Sequence, residues 1–243
     1  MDGSDLLVGL LIAYNLPAHV PWWLPVAGSF VSIAIGKHIF GGLGRNIFNP
    51  ALLGRAFLMA VWPRYMVIFT KPLNYDAVTG ATPLALLKQG QRALGSVSYL
   101  DLFLGNKGGC IGEVCILALL LGAAFLFLRG YISWHIPMTY ISTTGILTFI
   151  FGPQGWGRGD GLFHILSGGL ILGAFFMATD YVTSPLTRKG QVVFGIGCGV
   201  LTAGIRLWGR APEGVCYAIL MMNAATPLID RFTKRRPQIA GGV

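Results

Sequence analysis

The sequence predicts an all-α polytopic membrane protein, an inverted repeat of five-helix units whose first unit is truncated at its N-terminus. Three observations carry that expectation. The composition is 54% hydrophobic and 11% charged, with a mean hydropathy of +0.66, which excludes a self-sufficient soluble domain. Near-continuous apolar stretches occupy most of the chain. Two segments, Leu11 to Phe57 and Phe175 to Phe232, share an order of elements and read as a repeat.

Taken in order, Leu6 to Leu16 is too short to cross a hydrocarbon core of about 30 Å and reads as a half-helix or the remainder of a longer one. Trp22 to Phe40, Phe48 to Val61, Ile111 to Leu128, Ile132 to Ile150, Leu162 to Ala178, Val192 to Trp208 and Val215 to Ile229 are the spans. Several approach the roughly 20 residues that a membrane helix requires. Trp62 to Cys110 is the one long non-membrane connection, of a length that is usually functional or disordered. Inside it, Pro83 to Gln91 carries Leu84, Leu86, Leu87 and Lys88 and reads as a short amphipathic helix lying along the surface. The 35 glycines and 13 prolines fit helix breaks and close helix packing. Gly41-Gly42-Leu43-Gly44 is such a break, because no preceding strand or Lys-Ser/Thr completes a nucleotide loop.

Within the repeat, Ala13-Tyr14-Asn15 corresponds to Ala178-Thr179-Asp180, and Asn49-Pro50 has its counterpart around Asn223 to Pro227. The second copy is preceded by the spans Ile111 to Leu128 and Ile132 to Ile150, which have no partner ahead of the first copy. The expectation is therefore that leading helices are missing. An odd-numbered unit, once duplicated, places its copies in opposite orientations.

Asp76-Ala77-Val78-Thr79-Gly80-Ala81-Thr82 has the pattern D-x-x-T-G-A-T, which resembles the acceptor sequence of flavin transferases. In that chemistry a hydroxyl attacks the pyrophosphate of FAD, AMP leaves, and FMN stays on the side chain as a phosphoester. Thr82 supplies the hydroxyl, Gly80 and Ala81 leave little bulk beside the phosphate, and Pro83 stiffens the chain beyond. Asp76 positions the transferase's metal or bonds the loop, and Thr79 bonds the local backbone. The competing reading is an ordinary polar turn.

Together with Gly41 to Ala51, Pro83-Leu84, Phe175 to Asp180 and Thr183-Ser184-Pro185, this motif resembles the D-subunit family of Rnf ion-translocating electron-transport complexes, relatives of the B subunit of sodium-translocating NADH:quinone oxidoreductase. The resemblance covers nearly the whole chain. It implies inverted five-helix repeats, FMN on Thr82, and a place among the membrane and flavin-bearing subunits of an Rnf complex. Electrons would pass through the chain from a neighbouring flavin subunit while sodium or protons cross. A flavin transferase is the partner during maturation.

Arg55 falls about 10 Å inside its span at 1.5 Å per residue, where an unpaired charge costs about 2.5–3.5 kcal/mol. Its candidate partners are a flavin phosphate, a second flavin such as riboflavin, or an acidic residue such as Asp180; alternatively its stem runs to the interface. Asn49 and Asn223, at expected helix breaks, either bond a flavin ring or an ion, or cap freed backbone groups. Cys110, Cys115, Cys198 and Cys216 lack metal-site spacing, and His19, His38, His135 and His164 are dispersed. No dinucleotide fingerprint is present, so NADH or ferredoxin chemistry is assigned to other polypeptides.

Arg45, Arg129, Arg188, Lys189, Arg231 and Lys234 to Arg236 gather on the side of the C-terminal tail, against Arg64, Lys71, Lys88, Arg92, Lys107, Arg158 and Arg210 opposite. The positive-inside rule then makes the tail cytoplasmic and the Thr82 loop external, and the resemblance implies a bacterial or archaeal inner membrane. Residues 1–62 are the remainder of the first repeat, 63–110 the extracytoplasmic loop, 111–236 the second repeat and 237–243 the tail. The net charge of +9 belongs to membrane edges and calls for no nucleic acid. Two readings of other classes compete: a flavin-free channel or transporter for a small solute, and a structural anchor that docks a redox partner.

Overall fold

The computed structural model describes residues 3–70, 79–80, 82–88, 98–152, 155–209, 211 and 213–234. In chain order the helices are α1 (Ser4–Tyr14), α2 (Trp23–Phe30), α3 (Pro50–Val61), α4 (Pro63–Met66), α5 (Pro83–Lys88), α6 (Tyr99–Leu104), α7 (Ile116–Leu128), α8 (His135–Ile150), α9 (Gly161–Leu166), α10 (Leu170–Leu172), α11 (Arg188–Trp208) and α12 (Val215–Thr233). α2 runs into a π-helical segment, Val31–His38, and α10 into another, Gly173–Met177. Extended structure among the described residues is one antiparallel pair, β1 (Phe69–Thr70) with β2 (Thr79–Gly80).

Most expected spans are helices, with three physical differences. The stretch from Leu162 to Ala178 is broken, because Gly168 adopts a φ of 67° that ends α9 and turns the chain into α10. The stretch from Ile111 becomes helical only at Ile116, since the N–H groups of Ile111 and Gly112 bond the carbonyls of Leu16 and Tyr14 at 3.0 and 2.8 Å. α12 runs unbroken through Pro227, so Asn223 lies within a helix and not at a helix start. Among the described residues α11 is the one helix that is both long and apolar enough to cross a bilayer by itself, while α1, α3 and α7 are apolar but shorter.

The two halves meet in a common core in which Ile12, Leu52 and Leu58 join Tyr140, Met177, Phe194 and Ile219. Asn15, at the end of α1, donates to the Leu11 carbonyl at 2.7 Å and to the Met177 sulfur. The Ala13-Tyr14-Asn15 corner thus meets Met177, next to Ala178-Thr179-Asp180. α8 and α11 are in close register because Gly195 and Gly199, one turn apart, face Thr139 and Thr143. The Tyr140 hydroxyl meets the Thr202 hydroxyl at 2.7 Å further along the same seam.

An added Cβ at Gly195 would lie 2.0 Å from Thr139 Oγ1 and 2.9 Å from the Ile136 carbonyl oxygen, and the latter cannot move without the helix. Gly195→Val is therefore expected to cost about 1–3 kcal/mol through overpacking, read as a lower Tm in detergent. An unchanged Tm would contradict this packing.

Candidate functional site

Thr82 directly precedes α5 and caps it. Its Oγ accepts the Ala85 N–H at 3.2 Å, and its carbonyl accepts the Leu86 N–H at 3.0 Å. A threonine hydroxyl replaces the acceptor that first-turn amides lack, and Pro83 occupies the first helical position, where no N–H is needed. Thr82 is only 4% exposed. Leu84 packs with Leu102 of α6 and Phe163 of α9, and Leu86 and Leu87 flank that cluster. The apolar side of this helix, expected along the membrane surface, is thus covered by the chain's own α6 and α9.

At the other end of α5, Lys88 Nζ donates to the carbonyls of Ile205, Gly209 and Ala211 at 3.2, 2.5 and 2.5 Å. These carbonyls lie where α11 ends, and a cation there also meets the negative end of the helix dipole. α5 is fixed at both ends. Upstream, Thr79 and Gly80 pair with Thr70 and Phe69 across the β1–β2 bridge. Asp76 and Ala81 lie outside the described residues, and for Thr79 and Gly80 only the backbone is described.

Beyond α5 lies a buried charge cluster. Arg55 Nη2 donates to Glu213 Oε2 at 2.6 Å, and its Nη1 to Asn15 Oδ1 at 2.7 Å. Arg55 is 5% exposed, so its stem does not reach an interface, and its acidic partner is Glu213, not Asp180. Asp180 instead accepts from the Thr183 hydroxyl at 3.0 Å. The broken end of α9 supplies free carbonyls, and two buried cations take them. Arg206 donates to His164 and Ser167 at 2.5 and 3.2 Å, and Lys107 to Leu166 at 2.6 Å. Burial lowers the Lys107 pKa to about 8, with Glu113 acting against that fall.

Asn49 caps α3 through Oδ1, which accepts the N–H groups of Ala51 and Leu52 at 3.1 and 3.3 Å, and its Nδ2 donates to the Met177 carbonyl at 3.1 Å. Its backbone N–H reaches Asn223 Oδ1 at 3.0 Å, in the amide orientation that also lets Asn223 donate to the Ile219 carbonyl at 3.2 Å. The two asparagines therefore meet across the halves. The amide of Asn49 is spent on capping and on Met177, so a flavin ring or ion would have to compete with those bonds. Nearby is a cavity of about 550 Å³, walled by Leu11, Tyr14, Phe125, Phe175 and Phe176, with Lys37, Asn49, Thr179 and Asp180 among its polar members. Lys37, buried in the first π-helical segment, pairs with Asp5 at 2.7 Å and donates to Ser4.

Glu113, Glu213, Arg206 and Lys107 were not singled out from the sequence. Arg206 carries the same signal as Arg55, a guanidinium inside an apolar span. Glu113 and Glu213 are the only glutamates in the chain, each at the edge of a span. Their joining had no local signature.

Short helices around a buried charge cluster, with Leu121, Phe125 and Leu128 of α7 and Val193, Val200 and Trp208 of α11 exposed, fit a helical membrane subunit. Residues 1–238 match the NQR2, RnfD, RnfE family, and the chain belongs to that family. Over 238 residues it is 53% identical to the D subunit of the Na(+)-translocating ferredoxin:NAD(+) oxidoreductase complex of Acetobacterium woodii, covering 97% of this chain and 72% of that one. It is 51% identical to the D subunit of the proton-translocating ferredoxin:NAD(+) oxidoreductase complex of Clostridium ljungdahlii, over 96% and 73% of the two chains. Identity to the D subunit of the ion-translocating oxidoreductase complex of Stutzerimonas stutzeri is 42%, over 97% and 75%.

Proposed function

We propose that this chain is the D-type membrane subunit of an ion-translocating ferredoxin:NAD(+) oxidoreductase complex, and that it carries FMN esterified to Thr82. Electrons come from a neighbouring flavin-bearing subunit and pass onward. The two halves, lying as inverted copies, give a bilayer scaffold for coupled sodium or proton movement. The C-terminus is cytoplasmic and the Thr82 segment external. The observation that carries the reading is the D-x-x-T-G-A-T string ending on a threonine whose hydroxyl is oriented and whose helix is fixed at both ends.

The residues fit an attached flavin phosphate. Thr82 offers an acceptor oxygen, and Lys88 on the same short helix, with Arg206 and Lys107 beyond it, adds positive field for a phosphodiester. Bound there, FMN supplies one- and two-electron redox chemistry. The chain's part is placement. Thr82 sets the tether, Gly80 keeps the backbone slim beside it, and Leu84 seats the helix against Leu102 and Phe163. The hydroxyl is buried and engaged by Ala85, so the transferase acts while α5 is undocked. In-gel fluorescence of the denatured chain from the assembled complex tests attachment, and a dark band in an active complex would refute it.

A second, noncovalent flavin such as riboflavin is assigned to the cavity of about 550 Å³, a volume in the range of small-molecule sites, with aromatic walls from Phe125, Phe175 and Phe176. Solvent extraction of the purified complex is expected to release flavin contributed by this chain in addition to the tethered FMN. Phe175→Ala should lower the released fraction and leave the tethered one intact. Equal release from both proteins would exclude this cavity.

A further inference from the structure

The only two glutamates of the chain, 113 and 213, come from connections a hundred positions apart, one ahead of α7 and the other ahead of α12. Both side chains reach the same glycine: Glu213 lines a small cavity with Arg55 and Gly169, and Glu113 Oε2 lies against Gly169. Each has one oxygen with a donor, Glu113 Oε1 from the Cys110 N–H at 2.9 Å and Glu213 Oε2 from Arg55 at 2.6 Å. Each also has one buried oxygen with none among the described residues, Glu113 Oε2 and Glu213 Oε1. Glu113 is 1% exposed, and an ionised oxygen at that depth without a donor is costly.

The backbone is shaped to bring them together. An added Cβ at Gly169 would lie 2.8 Å from Glu113 Oε2, and one at Gly168 would lie 3.2 Å from Arg206 Nη2 and 3.8 Å from Glu213 Cγ. The glycine break between α9 and α10 thus opens the space that the two side chains fill.

The geometry points to a proton-binding site: Glu113 and Glu213 hold one proton between their two unpartnered oxygens. A metal ion is the poorer occupant. Arg55 faces the pair from α3, Arg206 from α11 and Lys107 from the segment ahead of α7, and all three repel a cation. The other titratable neighbours are the thiols of Cys110 and Cys216, and burial keeps Cys110 neutral. Among the described residues no group of three His, Cys, Asp or Glu side chains could hold a metal. Burial first, and Glu113 second, push Glu213 up to about 7, against the pull of Arg55 and Arg206. The Glu213 side chain keeps 13% exposure overall, while its Oε1 is buried. The site is independent of flavin attachment. Negative charge arriving nearby tightens its hold on the proton, which makes it suited to take up a proton as the complex is reduced.

Infrared titration of the assembled complex in lipid tests the pair, comparing wild type with Glu113→Gln and Glu213→Gln. The expected result is a protonated-carboxyl band on the acid side of neutrality that fades as pH rises, is missing from Glu213→Gln, and has its midpoint moved to lower pH in Glu113→Gln. Glutamine keeps the shape and donor of the protonated acid, so both variants should fold. If either fails to fold, titration of the wild-type band alone decides: release of one proton across its midpoint supports the pair, and its absence on the acid side overturns it. Persistence of the band in folded Glu213→Gln, or an unshifted midpoint in folded Glu113→Gln, also overturns it. Loss of the band on adding sodium would assign these oxygens to a metal ion instead.

Discussion

Thr82→Ala is expected to abolish covalent flavin in the isolated chain while the complex still assembles. The effect on cofactor content is all-or-none, because alanine has no oxygen to attack the pyrophosphate of FAD. The effect on the fold is small. Loss of the Oγ bond to the Ala85 N–H removes one helix cap, worth about 0.5–2 kcal/mol, on a helix still held by Leu84 and Lys88. Thr82→Ser restores both the nucleophile and the cap and should recover flavin. In-gel fluorescence and ferredoxin-dependent NAD reduction by the assembled complex read the two consequences. Retained fluorescence in the alanine protein would move the attachment elsewhere.

Arg55→Met should be among the most destabilising single substitutions in the membrane core. It leaves Glu213 buried without its cation and Asn15 Oδ1 without its donor, and breaking a buried pair from one side costs about 3–5 kcal/mol. The loss should depend on pH with a definite sign. Glu213 already has its pKa raised from 4.5 to about 7, so the folded chain binds this proton more tightly than the unfolded one. That contribution is fully present below pH 4.5 and is lost as pH rises through about 7. Removing Arg55 favours the protonated form further, so the deficit is smallest in acid and grows as pH rises. Thermal melts of both proteins across this range in detergent read it. A deficit that grew on acidification would contradict the pairing.

Much of the fold was legible because it rests on composition. The runs that became α3, α7, α8, α11 and α12 are apolar and bounded by polar or glycine-bearing segments, and the period of a buried helix needs nothing further. The break at Gly168 was hidden because its neighbours Leu166, Leu170 and Ile171 are as apolar as any helix interior. The positive φ of Gly168 ends the helix, and the carbonyls it frees are taken by Arg206 and Lys107, both distant in sequence. Pro227 misled in the opposite direction, since α12 absorbs it without ending.

The candidate site was legible where its chemistry is local and illegible where it is not. Thr82 stands in a contiguous motif that reads directly. Arg55 was flagged as a charge in an apolar span, but its acidic partner lies 158 residues away, and no spacing rule selects Glu213 over Asp180. Asn49 and Asn223 stand out in the sequence as expected counterparts, and the Asn49 N–H reaches the Asn223 side chain. The buried glutamate pair had no such guide.

Peptide mapping by mass spectrometry, on the chain taken from a complex that is turning over, tests the central claim most directly. The peptide bearing Thr82 should carry the mass of FMN less one water, with the fragment series placing it on that residue. An unmodified Thr82 peptide from a fully active complex would contradict the account and leave the helical scaffold without its proposed electron carrier.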